Sequence, residues 1–260
     1  MTSPAPMPPP DGPSSPLSSV QAALDAGDLD EVLRLTEAIL AQRPGDDAAH
    51  ELRARALLAL GRAEEAERHA ADAVRLDPDE IRYRELLAQV LSAEGAHRDA
   101  AAEFGRLARN DPRQTTWTVA EAEERLGAAQ AGMGVDAARR AVRLAPRNGR
   151  AQLALSHALA RTGDARGAFQ AATLASELLP GDAAAREALA DAHWLADQDA
   201  AAFGEFRALA DELAGTDRER VLAKARRLWR QHAGWAGRLV GAIGPLFRFV
   251  FRRGWLRIGR

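Results

Sequence analysis

The chain has 260 residues and no cysteine, which excludes disulfide bridges and metal sites built on thiolates. Its formal charge of −2 conceals a division: residues 217–260 contain twelve basic and two acidic residues, a net charge of +10, whereas residues 1–216 carry −12. Charge separated in this way indicates that the two segments meet different partners. A single lysine among many arginines indicates a GC-rich bacterial genome.

The first segment, residues 1–19, is rich in proline and serine and almost uncharged. A secretory signal needs a basic start followed by an apolar run, and this segment has neither. We therefore expect a disordered tail ahead of the first folded element.

A proline then recurs every 34 residues, and a fixed period of this length predicts stacked structural repeats. The prolines are Pro44, Pro78, Pro112, Pro146 and Pro180. With the proline numbered 32, position 8 carries small residues: Ala54, Ala88, Ala122, Ser156 and Ala190. Position 20 is also small: Ala66, Ala100, Gly134, Ala168 and Ala202. Position 15 holds Gly27, Gly61, Gly95 and Gly163, and the series is interrupted by Ala129.

The second repeat, residues 47–80, shows the pattern most clearly and predicts two antiparallel helices. Apolar residues recur at helical spacing on both sides of Gly61. Glycine ends the first helix because it adopts the left-handed conformation without a steric penalty. Pro78 ends the second, because its ring excludes helical geometry at the preceding residue. The small residues at positions 8 and 20 allow the two helices to approach closely.

The fourth repeat departs from this pattern. Glu121 and Arg125 stand at positions 7 and 11, which are usually apolar, and Ala129 replaces the turn glycine. We expect its turn to be displaced to residues 132–134, which would lengthen the first helix and delay the second. Such an irregularity could shape a binding site or be a tolerated distortion.

The period and signature resemble those of the tetratricopeptide repeat family over roughly residues 13–216, as six units of which the second, third and fifth match best. The resemblance implies an all-α, right-handed solenoid of helix hairpins. It also implies a concave groove lined by first-helix positions near 2, 5, 9, 12 and 13, called the groove positions below. Carried over to this chain, they are Glu51, Arg55, Arg82, Glu85, Gln89, Glu123, Arg150, His157, Arg161, Glu187, Asp191 and Trp194.

The groove is therefore expected to have mixed charge and to bind a protein or peptide, with an arginine-bearing patch in the fifth repeat. Some members of the family clamp acidic C-termini of chaperones with lysine and asparagine side chains. This chain has one lysine, outside the repeats, and only two asparagines, so that clamp is not expected.

After the repeats, residues 217–232 read as a capping helix with Val221, Leu222, Ala225, Leu228 and Trp229 on one face. Residues 233–260 then form a basic segment rich in aromatic residues, whose longest charge-free run is only nine residues, 239–247. A membrane-spanning helix needs roughly 20 apolar residues. The composition is instead typical of a segment that lies in the interface of an anionic membrane.

The residues expected to contact the membrane are Trp235, Arg238, Leu239, Ile243, Phe247, Arg248, Phe249, Phe251, Arg252, Arg253, Trp255 and Arg257. Three alternatives stay open for this tail. It could fold back on the acidic repeats or dock on a partner protein. It could also bind nucleic acid by stacking, which its aliphatic content disfavours.

No motif indicates catalysis. The six histidines are scattered without metal-ligand spacing, and neither a GxSxG motif nor a phosphate-binding loop is present. The sequence thus predicts a non-catalytic adaptor without cofactor, in the cytoplasm or on the inner membrane face, with repeats over residues 20–216. The alternatives are a scaffold whose tail caps or self-associates, and an accessory subunit of a separate enzyme or regulator.

Overall fold

The computed structural model describes residues 16–232, and in that range it contains thirteen α-helices and no strand. The helices are α1 Pro16–Asp25, α2 Leu29–Gln42, α3 Asp47–Ala59, α4 Ala63–Leu76, α5 Ile81–Ala93, α6 His97–Asn110, α7 Thr115–Gly127, α8 Ala131–Leu144, α9 Gly149–Thr162, α10 Ala165–Leu178, α11 Ala183–Leu195, α12 Asp199–Glu212 and α13 Gly215–His232. From α3 to α12, each first helix and each second helix starts 34 residues after its predecessor. The predicted all-α repeat fold is confirmed.

Local signals in the sequence set the ends of these helices. Asp46 caps α3, because its carboxylate accepts a hydrogen bond from the amide of Ala49 at 2.9 Å. The same arrangement recurs at the starts of α2, α10 and α11, where Asp28, Asp164 and Asp182 are the capping residues. Gly61 lies in the turn after α3 with φ +73°, a conformation that glycine adopts without strain.

The prediction for the fourth repeat is wrong. Helix α7 has the ordinary length, and α8 begins in register at Ala131. Ala129 itself takes the left-handed conformation, with φ 58°, and the amide of Gln130 donates to the carbonyl of Arg125 at 2.8 Å to close the turn. Gly134 lies inside α8 at the small position 20, where an added Cβ would stand 3.3 Å from Leu126.

The polar pair of the fourth repeat is accommodated inside the fold. Glu121 is buried, and its carboxylate lies 3.6 Å from the guanidinium of Arg125. Gly105 of α6 makes the room, since a Cβ at this glycine would stand 3.1 Å from Glu121 Oε1. A small residue on one helix thus allows a charged residue on the next.

The chain divides into two compact units, with the boundary inside α8 after Ala137. In the first unit each helix from α1 to α7 packs on the next, and the core includes Val20, Val32, Leu57 and Tyr83. In the second unit α9 to α13 pack in the same sequential way. Its C-terminal core joins Phe206 and Leu209 of α12 to α13, whose face carries Val221, Ala225 and Leu228.

No helix between residues 16 and 232 is long and apolar enough to cross a membrane. Most of the N-terminal tail predicted over residues 1–19 and all of the basic tail at residues 233–260 lie outside the described residues. The residues assigned above to membrane contact therefore carry no structural description.

Candidate partner-binding surface

The groove positions of α3 and α5 place two arginines beside a buried carboxylate. Glu51 is only 3% exposed, and its Oε1 lies 2.6 Å from Nε of the exposed Arg55. Burial raises the pKa of Glu51, and the charges of Arg55 and Arg82 oppose that increase. The Arg82 guanidinium stacks 5.0 Å from the ring centre of Tyr83 and donates to its hydroxyl at 3.3 Å. Both arginines are exposed, and Arg82 also lies 3.5 Å from the Glu80 carboxylate.

Of the next three groove positions, one joins two helices and the other two are exposed. Glu85 accepts a hydrogen bond from the indole Nε1 of Trp117 at 3.1 Å, which joins α5 to α7. Gln89 and Glu123 lie on the same helices and are exposed. Glu85 therefore has a structural role in the first unit, whereas Gln89 and Glu123 are accessible from solvent.

In the second unit, α9 carries the predicted arginine-bearing patch. Arg150, His157 and Arg161 are spaced seven and four residues apart, so they follow one face of the helix, and all three are exposed. Arg150 Nη2 lies 3.5 Å from Asp182. Desolvation by surrounding protein atoms lowers the pKa of His157 although the residue as a whole is exposed, and the nearby Asp191 carboxylate opposes this shift.

The groove positions of α11 contact α13. Arg220 pairs with Glu187, and Lys224 Nζ lies 2.8 Å from Glu187 and 2.5 Å from Asp191. The Arg227 guanidinium lies 5.7 Å from the ring centre of Trp194. A partner at these α11 positions would share them with α13.

These contacts set the ionisation of the α11 carboxylates. Burial raises the pKa of Glu187, but hydrogen bonds and charge from Lys224 and Arg220 outweigh it and leave the pKa lowered. For Asp191 burial dominates, and the pKa is raised despite Lys224.

Sequence reasoning predicted a capping helix over residues 217–232 but missed the ion pairs of α13 with α11. A signal was present, because Lys224, the only lysine of the chain, stands 34 residues after Ala190 at a position that is small in the second to sixth repeats. The groove positions that are exposed are thus Arg55, Arg82, Gln89 and Glu123 in the first unit and Arg150, His157 and Arg161 in the second.

Comparison with known proteins agrees with this geometry. The sequence model described as "Tetratricopeptide repeat" matches residues 23–90. No curated protein sequence matches the chain. Among solved structures, a tetratricopeptide repeat protein from Parabacteroides merdae superposes with a TM-score of 0.71 at 13% identity, covering 93% of each chain.

Two further solved structures are shorter. MamA from Desulfovibrio magneticus RS-1 gives a TM-score of 0.59 at 19% identity and covers 65% of this chain and 98% of its own. YrrB, a TPR protein with an unusual peptide-binding site, gives 0.54 at 16% identity and covers 73% and 97%. At these identities the similarity concerns the fold alone. The family's sequence model matches residues 23–90, and the helix hairpins continue at the same 34-residue period to α12, so the chain has the fold of a tetratricopeptide repeat solenoid.

Proposed function

We propose that this protein is a non-catalytic scaffold that binds a protein or peptide partner along its groove positions. The observation that carries the proposal is the row of exposed polar side chains on first helices, above all Arg150, His157 and Arg161 on one face of α9. YrrB, a protein of the same fold, has a peptide-binding site. Groove positions with buried or paired side chains, such as Glu85, stabilise the repeats.

We further propose that the basic tail, residues 233–260, holds the scaffold at the inner face of a bacterial membrane. Its support is compositional: six arginines alternate with tryptophan, phenylalanine and aliphatic residues, with no acidic residue. Arginines near an anionic surface contribute about 1 kcal/mol each, and the aromatic rings insert among the headgroups. The groove would then present its partner close to the membrane.

Liposome co-sedimentation tests the tail. The full chain and a variant truncated after Gln231 are compared on anionic and neutral vesicles at two salt concentrations. We expect salt-sensitive binding of the full chain to anionic vesicles and none by the truncated variant. If neither protein binds, the membrane proposal fails and the tail becomes a candidate for self-association.

Partner capture tests the groove. In the triple variant, Arg150, His157 and Arg161 are replaced by alanine. A matched control replaces three arginines that are exposed on second helices of the same array, Arg139, Arg143 and Arg166. We expect proteins cross-linked to the wild type in cells to be lost from the triple variant and kept by the control. Equal recovery with both variants would contradict the assignment of the groove.

A further inference from the structure

Two histidines that are distant in sequence meet between α3 and α4. His50 Nδ1 lies 2.9 Å from His69 Nδ1, and the ring centres are 5.2 Å apart. The Asp72 carboxylate lies 3.9 Å from His50 Nδ1. Two imidazoles and a carboxylate are ligands that zinc accepts, so the positions of the ring protons decide between a metal site and a hydrogen-bond network.

Two flanking groups fix those protons. A guanidinium only donates, and Arg53 Nε donates to His69 Nε2 at 3.1 Å. A carbonyl only accepts, so His50 Nε2 donates to the carbonyl of Pro44 at 3.0 Å. Neutral His69 therefore carries its proton on Nδ1 and donates it to Nδ1 of His50. All three hydrogen bonds run in one direction, from Arg53 through His69 and His50 to Pro44, and we call this chain the histidine relay.

The relay disfavours a metal ion. A metal bound to both Nδ1 atoms would require the His69 proton to move to Nε2, where it would face the N–H of Arg53. Arg53 is also held in place, because its Nη1 donates to the carbonyl of Leu33 at 2.8 Å. Asp72 accepts a hydrogen bond from Arg75 at 2.8 Å, which reduces its availability as a third ligand.

We propose that the histidine relay is an acid-sensitive latch that holds α2, the turn after it, α3 and α4 together. Every ring nitrogen either donates to an acceptor or accepts from a donor, so an added proton places two N–H groups face to face. The conflict persists for as long as both rings keep these orientations and partners. Protonation therefore opens the contact between the first and second hairpins.

Burial and neighbouring charges shift the pKa of His69 in opposite directions. Burial, the charge of Arg53 and the charge of His50 lower the pKa of His69, whereas Asp72 and Glu65 of α4 favour the protonated ring and are outweighed. Helix α2 contributes to the relay only uncharged groups, the carbonyl of Leu33 and the hydroxyl of Thr36.

The sign of the pH dependence follows from the pKa of His69. Because this pKa is lowered in the folded state, the opened chain binds more protons than the closed chain below the ordinary histidine pKa of about 6.5. The latch therefore contributes its full stability above that pH and loses it on acidification. Each proton taken up only on opening raises the opening constant about tenfold per pH unit.

The chain supplies a matched replacement for the relay. Gln152 stands in the fifth repeat where His50 stands in the second, and its Nε2 donates to the carbonyl of Pro146 at 3.0 Å. A carboxamide, like a neutral imidazole, presents one donor and one acceptor flanking a single carbon. The double variant His50→Gln, His69→Gln can thus keep all three hydrogen bonds while losing both titrating groups.

Hydrogen exchange of the full-length protein tests the latch. Peptides from residues 29–76 are followed between pH 7.5 and 5.0, with rates corrected for intrinsic exchange. We expect the opening constant of the wild type to rise at least tenfold on acidification and that of the double variant to change less than threefold. Equal pH dependence in the two proteins would overturn the proposal.

Nitrogen-15 NMR of the wild-type imidazoles tests the relay without requiring the variant to fold. We expect His69 to be protonated on Nδ1 and His50 on Nε2 at pH 7.5. The opposite tautomer of His69 refutes the relay. The last measurement is thermal unfolding at pH 7.5 with added zinc. Stabilisation of the wild type by zinc, absent from the double variant, would show a metal site in place of the relay.

Discussion

Ala129 occupies the turn position at which four other repeats have glycine, and the substitution Ala129→Gly measures what this costs. Its φ of 58° lies in the left-handed region, which disfavours a residue with a Cβ. The four glycines at the equivalent turns have φ values from +73° to +82°, and a Cβ added to any of them would meet no atom within 4 Å. The site is therefore open, and the effect of the substitution lies in the backbone.

The magnitude follows from two opposing contributions. A left-handed residue with a Cβ costs about 1–2 kcal/mol relative to the right-handed region. Glycine gains conformational freedom in the unfolded chain, which costs the folded state about 0.4–1 kcal/mol. We expect Ala129→Gly to increase the free energy of unfolding by about 0.5–1 kcal/mol, which corresponds to a rise in Tm of about 1–4 °C.

Thermal and urea unfolding followed by circular dichroism provide the assay, with Gly95→Ala as the control of opposite sign. The alternative, a turn displaced to residues 132–134, would place Ala129 inside a helix. Glycine there would destabilise by about 1 kcal/mol. A decrease in stability of Ala129→Gly, together with destabilisation by Gly132→Ala, would refute the observed register.

Three further predictions concern packing and charge. Gly149→Ala should lower the free energy of unfolding by about 1–3 kcal/mol in the same urea assay, because its Cβ would stand 2.5 Å from Cγ of Leu179. Gly204→Ala should raise it by about 0.5–1 kcal/mol, because a Cβ there would meet no atom within 4 Å. Lys224→Met should cost about 1–2 kcal/mol at pH 7. In the folded state the pKa of Asp191 is raised and that of Glu187 is lowered below 4.5. The difference should therefore begin to fall as Asp191 is protonated and disappear as the pH falls through the lowered pKa of Glu187. Burial and hydrogen bonding raise the pKa of Tyr83, the only tyrosine, to about 12. Phenolate absorbance should therefore titrate with a midpoint near that value in the folded protein and near 10 after unfolding. A midpoint near 10 in the folded protein would contradict the burial of Tyr83.

The repeat register could be predicted because its signals are local. Pro78 and Gly61 each determine a backbone conformation within one or two residues, and a 34-residue period repeats those signals along the chain. At Ala129 the sequence carries no such turn signal, because alanine favours the right-handed helical conformation. Its left-handed conformation is imposed by neighbours: Gly134 must face Leu126 at the close crossing, and this fixes where α8 begins. The close packing of Gly134 against Leu126 outweighs a turn penalty of about 1–2 kcal/mol.

The candidate site was predictable only in part, for a related reason. Register places a residue such as Arg161 or Glu187 on a given helix face, but it does not show which long side chains will reach it. The contact of Glu187 with Lys224 joins helices α11 and α13, and the contact of His50 with His69 depends on ring orientation. Neither follows from spacing along a single helix.

Lys224 distinguishes α13 from the first helices of the repeats. Position 8 is small where the second helix of a hairpin crosses the first, as Ala54 and Ala66 show by sharing one buried cluster. A lysine at such a crossing would bury an ammonium group without a partner, at a cost of several kcal/mol. Lys224 instead reaches across to Asp191, and the apolar face of α13 covers α12. The charge that stabilises the last repeat thus also makes α13 unsuitable as the first helix of another hairpin.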